Sequence, residues 1–186
     1  TGILEELRRQ TQERVDEGFI GRDSGDFEKT ENIGVGIYSD DMYRPSTLTS
    51  TRSDFVGKSN QANFFVDGMK APVVFVVKKN TSTLKKLANW LKVNGKASGQ
   101  NEIHVPVMVI DDEADNASIN TKYSPDDETN ITKINEQIRK ILNLFSHNTY
   151  VGYTATPFAN IFIDPDVYSE EVKQDLFPRS FIYALE

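Results

Sequence analysis

The sequence contains no cysteine and only two histidines, His104 and His147. The first absence removes disulfides, zinc–thiolate sites and cysteine nucleophiles. The second leaves too few imidazoles for a histidine-rich metal site and argues against a Ser-His-Asp triad. No run approaches the roughly 18 consecutive apolar residues of a membrane span, and the N-terminal stretch reads as charged helix rather than a signal peptide. A soluble, cytoplasmic protein with no membrane partner is the expectation. An excess of basic residues is lacking too. The 21 Lys and Arg are outnumbered by 28 Asp and Glu, for a net charge of −7. Tight, salt-resistant binding of duplex nucleic acid by these residues alone is therefore not expected.

What is present suits a globular fold: 186 residues, 38% of them hydrophobic, enough for one domain with a core. The charge is segregated along the chain. Lys70 to Lys96 holds seven lysines and no acid, whereas residues 102–128 hold eight acids and one lysine. That division is compatible with one face for phosphates and another for a cation, and equally with two ordinary solvated faces.

Residues 3–18 carry helical spacing, with Ile3, Leu4, Leu7, Thr11, Arg14 and Val15 along one side and Gly18 as a stop. Residues 20–65 are polar, with a low-complexity patch, STLTSTRS, at 46–53, and read as short irregular strands and an exposed excursion. GVG at 34–36 reads as a turn. A rhythm then emerges. APVVFVVKKN (71–80) is a strand without alternation, as for burial on both faces. Residues 81–95 form a helix with Asn80 or Thr81 as N-cap, an apolar stripe of Leu84, Leu87, Ala88 and Leu91, and Gly95 at its end. VPVMVI (105–110) is a second doubly buried strand. Residues 131–146 form a helix with Ile131, Ile134, Ile138, Ile141, Leu142 and Phe145 inward. NTYVGYTATP (148–157) is a third strand, broken at Pro157, and SFIYAL (180–185) a candidate fourth. Alternating strands and helices with continuously apolar strands imply an α/β fold, a parallel sheet with helices on both faces. Ligands in such sheets bind outside the carboxyl ends of the strands.

Two unusual segments fall at those ends. The first is Asp111-Asp112-Glu113-Ala114-Asp115. Two carboxylates about 4 Å apart repel by roughly 4 kcal/mol at an effective dielectric of 20, so at the edge of a buried strand they gain protons or hold a cation. Oxygen ligands favour Mg²⁺, which keeps most of its waters and is shared with substrate phosphates. Asp112 then holds the metal through water, Glu113 activates the nucleophile, and Asp115 relays to the next strand. The plain alternative is an acidic loop with Asp111 exposed and Asp115 or Ser118 capping a helix.

The second segment is Thr154-Ala155-Thr156-Pro157, after Tyr150-Val151-Gly152-Tyr153. An apolar strand ending in Asp112-Glu113-Ala114-Asp115 resembles the Walker B motif (motif II) of superfamily 2 helicases and translocases. Thr154 to Pro157 resembles their motif III, one helix and one strand later. TGILEELRRQTQ and KKNTSTLKKL resemble their backbone-contacting motifs, which implies Arg8, Gln10, Lys79, Asn80 and Thr81 as phosphate contacts. The longer wording (LRRQTQERVDEGFIG, VVFVVKKNTSTLKKLANWL, DDEADNASINT, GYTATPFANIFIDP and DLFPRSFI) resembles the bacterial endonuclease family defined by a Z1 domain. The resemblance runs almost end to end.

That resemblance implies a helicase-type ATPase core linked to restriction-like defence, acting on nucleic acid, DNA above all, with Mg²⁺ and ATP as cofactors. It implies a three-layer RecA-like fold, with Asp112, Glu113, Asp115, Thr154 and Thr156 as site residues. A motor of this kind also needs a P-loop and a second RecA-like domain. The candidate loop Gly57-Lys58-Ser59 has Arg52 where glycine is required and no apolar strand before it. Residues 1–186 are thus expected to be most of a first RecA-like domain of a larger protein, lacking the first strand and P-loop, with a polar insertion around 20–65. By themselves they should bind nucleotide weakly and not turn it over. Pro165-Asp166 followed by Glu171-Val172-Lys173 imitates a restriction-nuclease pattern, but the gap is short and the segment reads as loop. Two other functions remain open: a degenerate domain that binds nucleic acid or protein without hydrolysis, and a nuclease whose metal is held directly by Asp111, Asp112 and Glu113.

Overall fold

The computed structural model describes residues 4–26, 31–38, 44–57, 65–96, 99–115, 132–156, 168–169 and 173–184. They belong to two compact units, Thr1–Val105 and Pro106–Glu186. Each mixes helix with a small parallel strand pair, an α/β construction.

In the first unit, helix α1 (Glu5–Val15) continues as a wider π-type turn, Asp16–Ile20. It closes at Gly21, not Gly18. Gly21 takes the left-handed conformation at φ 80°, and its N–H donates to the Asp16 carbonyl at 2.6 Å. A side chain there would strike Gly36, in the turn Gly34–Ile37 that the GVG sequence foretells.

The buried side of α1 is also not the expected one. Leu4, Leu7 and Arg14 are exposed, and the helix instead buries Arg8, Gln12 and Asp16, one turn apart. The reason is a chain of polar partners. Arg8 donates to the carbonyls of Ser50 (2.8 Å) and Thr51 (3.4 Å). Gln12 donates to Asp16 and accepts from the Thr49 hydroxyl, while Asp16 accepts from the amide and hydroxyl of Ser24. Thr49 in turn accepts from the Val76 amide. Polar groups enter an interior at little cost when each finds a partner. Thr49 and Ser50 are accordingly buried, so the middle of the patch 46–53 enters the unit's interior, while Ser46, Arg52 and Ser53 stay exposed.

That patch begins with β1 (Ser46–Thr47), which pairs in parallel with β2 (Val73–Val74). The strand foreseen over 71–80 is thus two residues long and half-buried, because β1 offers it only two pairing residues. Helix α2 (Thr81–Asn94) matches its expectation. Asn80 accepts from the Thr83 amide as N-cap, Leu84, Leu87, Ala88 and Leu91 are buried, and Gly95 follows. Trp90 completes the buried face, edge-on to Phe55 and Phe75.

Lys78 reaches back to α1, its ammonium 2.8 Å from Glu5. Partial burial pushes the Glu5 carboxyl up, but hydrogen bonds from Lys78 and Arg8 outweigh it and leave the group below its usual 4.5. The Glu5 hydrogen bond holds Lys78 above its usual 10.5. The Glu5 contribution is therefore present above pH 4.5 and lost as pH falls through the lowered value. That of Lys78 is present below pH 10.5 and lost as pH rises through the raised one. Glu5 is 51% exposed, so screening keeps the pair below about 1 kcal/mol. Glu5→Gln should cost that much or less at pH 7 in urea titrations, and the difference from wild type should shrink below pH 4.5.

In the second unit, β3 (Val107–Asp112), α3 (Lys133–Leu142) and β4 (Asn148–Tyr153) form a parallel β-α-β unit, in register from Val107 opposite Asn148 to Asp112 opposite Tyr153. Thr132 caps α3. Ile138, Ile141, Leu142 and Phe145 are buried as expected and Ile134 half so, while Ile131 lies outside the described residues. β3 is not buried on both faces. Met108 and Ile110 are 63% and 59% exposed, while Val107, Val109 and Asp111 turn inward. A strand with one covered face alternates in exposure, and β3 does so.

Residues 180–184 form no strand, and Phe181, Ile182 and Tyr183 are exposed. Instead, β5 (Tyr168–Ser169) pairs antiparallel with β6 (Lys173–Gln174), where the sequence reads as loop. Pro165, Asp166, Glu171 and Val172 of the nuclease-like pattern lie outside the described residues.

Candidate functional site

Strand β3 delivers Asp111 and Asp112 at its carboxyl end, and the chain then turns sharply through Glu113. Glu113 has φ 54°, the one positive φ among described non-glycine residues. A left-handed residue with a Cβ costs about 1–2 kcal/mol. Such strain concentrates at functional turns.

Three hydrogen bonds from β4 and its extension hold the turn. The Ala114 amide donates to the Tyr153 carbonyl at 2.9 Å. The Asp115 carboxylate accepts the Thr154 hydroxyl at 2.6 Å on one oxygen and the Thr156 hydroxyl at 2.5 Å on the other. Thr154 also accepts from the Thr156 amide, which closes a compact ring of contacts. Asp112 and Glu113 are exposed, Asp115 is half-buried and Ala114 is fully buried. Around them lies a depression of about 540 Å³, bordered by Asp112, Glu113, Asp115 and Tyr153–Thr156. Its size is that of a small-molecule site.

The close approach of turn to strand depends on Gly152. A Cβ there would lie 2.9 Å from the Cβ of Ala114, an atom fixed to backbone that cannot swing away. Gly152→Ala should therefore push the turn off β4 and cost about 1–3 kcal/mol, read as a lowered denaturation midpoint. Unchanged stability would show that the turn yields freely.

All five expected chemical residues, Asp112, Glu113, Asp115, Thr154 and Thr156, thus border one depression. No family model, curated protein or solved structure matches the chain. The site has to be read from its own geometry.

The residues expected to contact phosphates lie in the first unit. Arg8 is fully buried and donates to Glu5 and to two backbone carbonyls, and Lys79 is 4% exposed. Asn80 caps α2, Thr81 begins it, and exposed Gln10 donates to Glu6. Arg8 and Asn80 therefore serve local structure.

Sequence reasoning overlooked Tyr150. Its hydroxyl donates to Asp111 at 2.8 Å, and Asp111 is 4% exposed, against the plain alternative of an exposed Asp111. Alternation alone puts residues 150 and 152 on one face of β4, but only the strand register, with Gly152 opposite Asp111, shows that this face meets Asp111. Asp111 and Asp112, as strand neighbours, point to opposite sides.

Proposed function

We propose that the chain contributes the Mg²⁺–nucleotide hydrolysis edge of a nucleic-acid-dependent ATPase of the superfamily 2 helicase type, residues 1–186 forming part of a RecA-like domain. The observation that carries this reading is the Asp115 carboxylate shared by Thr154 and Thr156, beside exposed Asp112 and Glu113. It joins the ends of two adjacent parallel strands, so a change at the acidic turn is felt by the segment after β4. Adjacent placement of β3 and β4 supports it further.

In this reading Asp112 holds Mg²⁺ through water, which suits one exposed carboxylate beside a roomy depression. The ion, when bound, screens phosphate charge. Glu113, exposed at the same rim, is placed to orient water and accept its proton. Asp115 keeps the turn and the Thr154–Thr156 segment in step. Phosphate cradling requires a complete glycine–lysine loop, of which residues 1–186 hold only the partial Gly57-Lys58-Ser59. DNA as the nucleic acid, a cytoplasmic setting, and the link to a Z1-domain endonuclease of bacterial defence belong to the same proposal.

The nuclease alternative asks Asp111, Asp112 and Glu113 to grip one metal. Among the described residues no three acidic or histidine side chains converge in that way, and Asp111 faces Tyr150. The non-hydrolysing alternative leaves Glu113 strained to no purpose.

The test is DNA-stimulated, Mg²⁺-dependent ATP hydrolysis by the intact protein beside Asp112→Ala. Turnover that the substitution removes supports the motor. A folded protein with no turnover makes the binding module the better reading, and Mg²⁺- or Mn²⁺-dependent cleavage without ATP, lost in Asp112→Ala, the nuclease.

A further inference from the structure

Asp111 is a buried acid that the proposed chemistry does not use. Its position is specific. The Tyr150 hydroxyl donates to one of its oxygens at 2.8 Å. Gly152, opposite Asp111 in the ladder, leaves the space a side chain would fill. A Cβ there would meet Ala114 at 2.9 Å, and the edge of the Tyr150 ring and its hydroxyl at 3.6 and 3.8 Å. Tyr150 and Ala114 thus border the same space. The phenol is fixed to the residue that opens the acidic turn and lies beside the residue that closes it. Between those two stand Asp112 and the left-handed Glu113.

From this arrangement we propose that Tyr150 is a positioning residue for the acidic turn: its phenol, anchored on Asp111 across Gly152, holds Glu113 in the orientation that hydrolysis needs. The proposal rests on the motor reading. It extends that reading to a side chain on the neighbouring strand, on the face of the sheet away from Asp112. A left-handed glutamate persists only where its surroundings over-determine it. The backbone bond from Ala114 to Tyr153 and the two threonine hydroxyls on Asp115 hold the far end of the turn. The Asp111–Tyr150 bond holds the near end.

The experiment compares Tyr150→Phe, Asp111→Asn, Asp111→Ala and Asp112→Ala in the intact protein, measuring kcat and KM for Mg²⁺–ATP with thermal midpoints. Tyr150→Phe keeps the ring and removes only the hydroxyl. It should lower kcat about tenfold, of the order expected when one hydrogen bond worth about 1 to 1.5 kcal/mol is lost, with KM within twofold. Asp111→Ala should fall as far. Asp111→Asn, which still offers an oxygen to the phenol, should lose less than threefold, and Tyr150→Phe combined with Asp111→Ala should be no worse than either alone. A wild-type kcat in Tyr150→Phe while Asp112→Ala is inactive overturns the positioning role and leaves the motor reading intact. So does a loss in Asp111→Asn equal to that in Asp111→Ala, which would assign the effect to charge. A Tyr150→Phe protein that loses thermal stability at unchanged kcat makes the contact structural alone. Wild-type protein without ATP turnover sinks the motor reading and this proposal together.

Discussion

Asp175→Ala should destabilise the second unit by about 3–5 kcal/mol, the largest stability loss expected of any substitution considered. Arg139 lies on the buried face of α3, 1% exposed, with its guanidinium 3.9 Å from Asp175. Burial draws the Arg139 pKa below its ordinary value, and the attraction of Asp175 opposes that shift. An arginine cannot shed its proton to escape, so the cost of burying it falls on the folded state. Asp175 offsets that cost and is held in turn: Asn135 donates to it at 2.7 Å, and the Leu176 amide donates to the same oxygen. Removing the carboxylate takes the nearest counter-charge from a buried guanidinium, which also donates to Asn135 at 3.4 Å, and takes from the Asn135 amide its acceptor on Asp175. A domain stable by 5–15 kcal/mol would lose a large part of its margin.

Urea titration followed by circular dichroism reads the loss as a shift in midpoint. The double variant Asp175→Leu with Arg139→Met should recover most of it, because an apolar pair of similar volume carries no desolvation cost. A single-variant loss under about 1 kcal/mol would mean that water reaches the pair.

The Arg139–Asp175 pair illustrates what the sequence could not disclose. Ile138, Ile141, Leu142 and Phe145 were legible because helical periodicity of apolar residues needs no knowledge of a partner. Arg139, beside them on the helix, reads as a solvent-facing charge until Asp175, far along the chain, is seen to meet it. The same holds for α1. Leu4 and Leu7 obeyed the apolar rule and were exposed, while Arg8, Gln12 and Asp16 went inside because residues 24 and 49–51 supplied hydrogen bonds. The apolar stripe and terminal glycine of α2 were legible because they are local, whereas the choice of Asn80 as cap and the burial of Trp90 against Phe55 and Phe75 were not. In β3 the period was misjudged: VMVI is continuous in sequence, but one face stays exposed. That Asp112, Glu113, Asp115, Thr154 and Thr156 would stand together was legible from the order of strands and helices, which puts both segments at neighbouring strand ends. The backbone at Glu113 and the Tyr150 contact were not, because both arise from how closely the turn packs on β4.

Glu113 is the position where stability and chemistry should separate most widely. Glu113→Gln preserves shape and removes the proton acceptor. If Glu113 is the general base, turnover should fall by about 10²–10⁴, with nucleotide affinity and thermal midpoint unchanged. Glu113→Ala should match it in both respects, since alanine bears the same Cβ in the same left-handed conformation. Glu113→Gly should be equally inactive yet more stable. Glycine escapes a penalty of about 1–2 kcal/mol and gives back about 0.5–1 kcal/mol through its freer unfolded chain, a net gain of roughly 0.5–1 kcal/mol. The contrast between alanine and glycine isolates the backbone term, because neither side chain can accept a proton. Equal stability of the two would show that φ at 113 is not held positive in solution. Turnover surviving in all three would remove Glu113 from the chemistry. An inactive but stabilised glycine variant would mean that the fold carries a strained residue at this turn because the reaction needs a carboxylate there.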